Sequence, residues 1–122
     1  MDYWYVYAIH EFLLVEPFYV KVGFAVDPVR RLGELQDGNP RFLRAADCEQ
    51  MPTKPFGLRC ESEKEARQLE NAVHQRLRTE GYCLRKDFNY GTERSSPREW
   101  YSNIRPHDVW MVVCEEWRKL RG

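Results

Sequence analysis

The chain changes its hydrophobic period at Asp27-Pro28, and this most narrows its fold. Before that point, FYVKVGF (18–24) alternates Phe18, Val20 and Val22 with Tyr19, Lys21 and Gly23, the two-residue period of a half-buried strand. After it, Val29, Leu32 and Leu35 recur at roughly helical spacing and are expected to face the core. Asp27 supplies an N-cap carboxylate, Pro28 takes the first helical position where a missing N–H costs nothing, and Gly38 stops the helix. Tyr19 and Lys21 therefore share one sheet face, opposite the valines. Arg31 lies beside the apolar stripe and can reach back over the sheet, whereas Arg30, Glu34 and Asp37 fall on the outer face. Gly33, inside the helix, costs ~1 kcal/mol relative to alanine and points to close packing there.

The remaining segments extend this strand–helix pattern. YWYVYAI (3–9), rich in aromatic and β-branched residues, reads as a strand that forms an antiparallel hairpin with 18–24 through the connection HEFLLVEP. RFLRAADC (41–48) reads as a third strand, and EQMPTKPFGLR, with two prolines and a glycine, as a loop. SEKEARQLENAVHQRLRTEG (62–81) is the clearest helix. Ser62 and Glu65 make a capping box, Ala66, Leu69, Val73 and Leu77 form the buried stripe, and Gly81 ends it. Glu70, His74 and Arg78 follow one flank at four-residue intervals. RKDFNYGTERSSP reads as a polar loop and REWYSNI as a short strand. RPHDVWMVVCEEWRKLRG places Val109, Val112, Val113, Trp117 and Leu120 at helical spacing, with a strand at VWMVVC as the competing reading. The expected architecture is a mixed α/β (α+β) fold: a small, mainly antiparallel three-stranded sheet flanked by helices, in one domain over 1–122.

Composition sets further bounds. At 122 residues the chain fits one domain, large enough to bury about two-thirds of its unfolded surface without staples. Aromatics, 14% of residues, gather at the two ends, which predicts that the termini meet in one aromatic core. Nineteen basic residues balance 19 acidic ones, which counts against tight, unaided nucleic-acid binding but leaves room for an arginine-lined cleft. Cys48, Cys60, Cys83 and Cys114 show no CxxC pair, so neither structural zinc nor a disulfide framework is expected. No secretory leader and no run near about 18 apolar residues is present, so the expectation is a cytoplasmic chain without membrane contact.

YVYAI (5–9), KVGFAVDPVRRLGELQDGNP (21–40), ARQLENAVHQRL (66–77) and REWY (98–101), taken in this order, resemble the GIY-YIG nuclease superfamily, with the T5orf172 or meiotically up-regulated 113-like branch as the nearest. The resemblance implies hydrolysis of phosphodiester bonds in DNA with one divalent metal, Mg²⁺ or Mn²⁺. It places Tyr7 at the tyrosine of the first motif, Arg31 at the helix arginine that steadies phosphate, and Glu70 at the sole carboxylate metal ligand. Lys21 stands where the parent pattern has its second tyrosine, a substitution that looks normal for this branch.

Physical chemistry gives these residues suitable roles. A phosphoryl transition state gathers charge that a preorganised guanidinium and a metal stabilise. Lys21 can stabilise phosphate charge or, if desolvated, act as a base; Tyr19, on the same face, is the alternative source of a hydroxyl. His74 is open to three readings, as an acid, a ligand or a structural histidine. Trp100 and Tyr101 are read as packing residues, with stacking on a base as the alternative. The rival reading from another class is a catalytically silent binding module, such as a phage-encoded regulator that grips a host protein. A monomer or small homo-oligomer fits either.

Overall fold

In the computed structural model, the residues described are 3–11, 19–37, 42–46, 54–82, 100–102 and 104–122. The elements run β1 (Trp4–Glu11), β2 (Tyr19–Ala25), α1 (Pro28–Gln36), β3 (Leu43–Ala45), β4 (Leu58–Cys60), α2 (Glu63–Thr79), β5 (Trp100–Ser102) and α3 (Pro106–Arg121). All strand pairings among the described residues are antiparallel. The path is β3-β1-β2-β5, and β4 also pairs with β1. β3 and β4 share one edge of β1, β3 along Ile9–Glu11 and β4 along Trp4–Val6. The fold is thus the expected mixed α/β type, with five strands among the described residues rather than three. β4 begins at Leu58, inside the segment expected to be a loop, and ends at Cys60 just beyond it.

The alternation read from the sequence becomes two apolar layers, one on each side of the sheet. Val6, Ala8, Val20 and Val22 pack with Leu69, Val73 and Leu77 of α2 and with Val109 and Val113 of α3. On the other face Tyr7, Ile9, Leu43, Ala45 and Trp100 pack with Leu32 and Leu35 of α1. Full burial of each such aliphatic side chain contributes ~1.5–3 kcal/mol, so these stripes hold the helices in place. The aromatics do not form one core. Trp4, Trp110 and Trp117 pack on the α2–α3 side, whereas Trp100 and Tyr7 lie on the α1 side. Strand alternation separates Trp100 from Tyr101, its neighbour, which joins the α2–α3 layer.

Local signals place the helix ends. Asp27 accepts a hydrogen bond from the Arg30 N–H (3.1 Å) and Pro28 opens α1. Gln36 Oε1 accepts from the Leu43 N–H at 2.7 Å, tying the end of α1 to β3. Ser62 Oγ accepts from the Glu65 N–H (3.1 Å), while Glu65 reaches back to the N–H of Glu61 rather than to that of the cap residue. Gly81 closes α2 with φ +91°, and the Tyr82 N–H returns to the Leu77 carbonyl at 3.1 Å. That left-handed conformation favours glycine.

Several finer expectations are corrected. A β-carbon on Gly33 would meet nothing within 4 Å, so no close packing explains that residue. Leu120 is exposed, beyond the apolar stripe of α3. Glu34 is half-buried, not solvated on an outer face. VWMVVC is helical. His10 and Glu11, expected to open the HEFLLVEP connection, are instead the last residues of β1; the rest of that connection, Gly38, Cys48, Cys83 and the RKDFNYGTERSSP segment lie outside the described residues. Cys60 and Cys114 are free thiols. Among the described residues, no helix is long and apolar enough to cross a membrane.

Candidate active site

The site begins with the register of the β1–β2 hairpin. Tyr7 faces Gly23 and Ile9 faces Lys21 across the ladder, so Tyr7 and Lys21 project from the same face. A β-carbon on Gly23 would sit 2.8 Å from the Tyr7 hydroxyl oxygen; the phenol occupies the space a side chain would fill. Tyr7 is 1% exposed and Lys21 0%. Trp100, opposite Lys21 on β5, presents its ring to the ammonium, with Nζ 5.9 Å from the centroid. This is the outer range of a cation–π contact.

α1 delivers the next group. The tight turn after β2 returns the helix over this face, and Arg31 hydrogen-bonds the Tyr7 phenol. The guanidinium, by its charge and its hydrogen bond, favours the phenolate, but burial outweighs it and raises the Tyr7 pKa to about 12. Arg31 also lies 3.8 Å from the Glu34 carboxylate, with 21% of its side chain exposed. Lys21 is shifted the opposite way. Desolvation, then the charge of Arg31, brings its pKa down to about 7, while Glu70 partly opposes this.

Glu70 comes from α2, on the other side of the sheet. It acts electrostatically on Tyr7 and Lys21, which project from the α1 face, and on Tyr101, which projects from the α2–α3 face. The β5 ladder along β2 covers only Tyr19–Lys21, short of Gly23. Glu70 is 8% exposed. Its Oε1 is 3.2 Å from His74 Nε2, and its buried Oε2 has no hydrogen-bond partner among the described residues. Among the described residues, no group of three or more His, Cys, Asp or Glu could hold a metal, so a metal here would rest on one carboxylate.

Tyr7 and Lys21 thus each feel the charges of Arg31 and Glu70. Tyr19 lies on the same sheet face, opposite Ser102, and packs in the α1-side layer. His74 has both ring nitrogens in short contacts: Nε2 with Glu70, and Nδ1 with the Tyr101 hydroxyl at 2.5 Å. Tyr101, read from sequence as a packing residue, is the group that sequence reasoning missed; only its position opposite Val20 brings it to His74.

The model of one family, the T5orf172 domain, matches residues 3–118, and the chain belongs to that family. This domain is associated with a GIY-YIG-like, nuclease-type fold. No curated protein and no solved structure matches the chain.

Proposed function

We propose that this protein is a metal-dependent endonuclease that hydrolyses phosphodiester bonds in DNA. The observation that carries the reading is the Glu70 Oε2 atom. A buried carboxylate oxygen without a hydrogen-bond partner is costly, and a hard cation offsets that cost. Bound at Glu70, Mg²⁺ or Mn²⁺ would supply Lewis acidity and positive charge against the phosphate oxygens.

The other roles follow from charge and proton affinity. Arg31, the most solvent-accessible member of the cluster, offers a planar fork of donors to a phosphate. Tyr7, with its pKa near 12, stays protonated at neutral pH and serves to orient a water or an oxygen rather than to take a proton. Lys21, near 7, is matched to accepting the proton of the attacking water. This supports Lys21 over Tyr19 as the base. His74 faces Glu70 and Tyr101 with both nitrogens, which supports a supporting role rather than one as ligand or acid.

One observation favours the second reading, a silent binding module that grips a phage or host protein: Tyr7 and Lys21 are almost wholly covered. Plasmid DNA incubated with the pure protein and Mg²⁺ or Mn²⁺ decides between them. Cleavage that disappears in Glu70→Gln and Arg31→Ala supports the nuclease. An intact plasmid with every divalent metal, from a folded protein, overturns it in favour of the binding module.

A further inference from the structure

We propose that Tyr101 is a positioning residue, which acts through His74 to aim the Glu70 carboxylate at a divalent cation. This rests on Glu70 being the metal ligand. The tautomer follows from the partners. An ionised carboxylate only accepts, so His74 Nε2 carries the proton donated to Glu70 Oε1. In the neutral ring Nδ1 is then an acceptor, and the Tyr101 hydroxyl donates to it across 2.5 Å. Burial raises the Tyr101 pKa to about 12, so the phenol keeps the proton it must donate.

The chain from Tyr101 to His74 to Glu70 thus runs in one direction and leaves Glu70 Oε2 as its open end. The rings of His74 and Tyr101 also lie nearly parallel, 22° apart with centroids at 5.6 Å, which fixes the imidazole plane. Arg78, one turn beyond His74 on α2, hydrogen-bonds the same phenol. His74 and Arg78, four residues apart on α2, therefore meet on a single residue of β5, and Glu70 joins them through His74. A ligand carboxylate held by an oriented histidine is worth roughly 10–100-fold in metal affinity at sites of this kind.

The test combines Mn²⁺ binding without DNA, followed by electron paramagnetic resonance, with ¹⁵N NMR of the His74 ring. Wild-type protein is expected to show the Nε2–H tautomer. Tyr101→Phe keeps the ring and removes the hydroxyl, and is expected to weaken Mn²⁺ binding about tenfold while releasing that tautomer preference. An Nδ1–H tautomer in the wild-type protein overturns the proposal without any variant. So does a folded Tyr101→Phe protein with unchanged Mn²⁺ affinity and tautomer. If wild-type protein takes up no Mn²⁺, the metal reading of Glu70 fails and positioning toward a cation fails with it. Mn²⁺ uptake by wild-type and Tyr101→Phe proteins alike sinks only the role of Tyr101.

Discussion

Gly23 and Tyr7 face each other across the β1–β2 ladder so closely that the phenol lies where a Gly23 side chain would be. Alanine at position 23 would meet the hydroxyl oxygen at 2.8 Å and the ring carbon behind it at 3.0 Å, in a site with 1% exposure. The ring must move, and Arg31 with it. Gly23→Ala is expected to cost ~1–3 kcal/mol, in the range of overpacked cores. Urea unfolding measures this, and in a Tyr7→Phe background the penalty should shrink by at least ~0.5 kcal/mol because the nearest atom is gone. An unchanged penalty would show that the contact is not the cause.

Lys21 gives the fold a pH dependence whose sign can be worked out. Its folded pKa, about 7, lies below the ordinary 10.5, so between these values the unfolded chain binds the extra proton. Stability then rises with pH across this window, by at most ~1.4 kcal/mol per pH unit, and the full burial penalty is present below about 7. Lys21→Met removes that dependence. The difference in unfolding free energy between the two proteins, in which the cysteine and tyrosine titrations they share cancel, should therefore change from about pH 7 to 8.5. In the same experiment series, wild-type kcat/KM for plasmid cleavage is expected to rise through about pH 7.

How much of this was readable in advance depended on whether the signal was local. The two periods around Asp27-Pro28, the Ser62 cap and the Ala66–Leu77 stripe are written within a few residues of each element, and the elements formed there. β4 has three residues beside Gly57 and is a strand only because Trp4–Val6 offers an edge to pair with. Helical spacing put Glu70, His74 and Arg78 on one flank, but Tyr101, 27 residues beyond His74, carries no mark of its partner. The burial of Lys21 was equally silent, since alternation gives a face and not what covers it. Gly33 shows the reverse error: a propensity cost was read as a packing requirement, and the position faces open space.

Arg31 is expected to matter for turnover far more than for folding. Its ion pair with Glu34, at 3.8 Å on a partly exposed helix face, contributes less than ~1 kcal/mol. Arg31→Lys keeps the charge but loses the planar fork that binds phosphate oxygens bidentately. Cleavage is expected to fall on the order of 10²-fold, with the loss in kcat rather than KM, while Tm stays close to wild type. A loss carried wholly by KM would make Arg31 a ground-state DNA contact instead.

Glu70→Gln separates function from stability most sharply. The amide oxygen can still accept from His74 Nε2, so the packing of α2 against the sheet is retained. The substitution removes a buried negative charge one of whose oxygens has no hydrogen-bond partner, so it relieves a desolvation cost while removing the cation's anchor. Glu70 is also the neighbour that raises the Lys21 pKa. Its neutralisation should move Lys21 further below about 7, seen as a shifted titration of the Lys21 side chain by ¹³C NMR. The combined expectation is loss of Mn²⁺ binding and cleavage, with Tm unchanged or higher. A Tm lowered by on the order of 5 °C, about 1 kcal/mol for a domain of this size, would instead identify the Glu70–His74 contact as a structural tie.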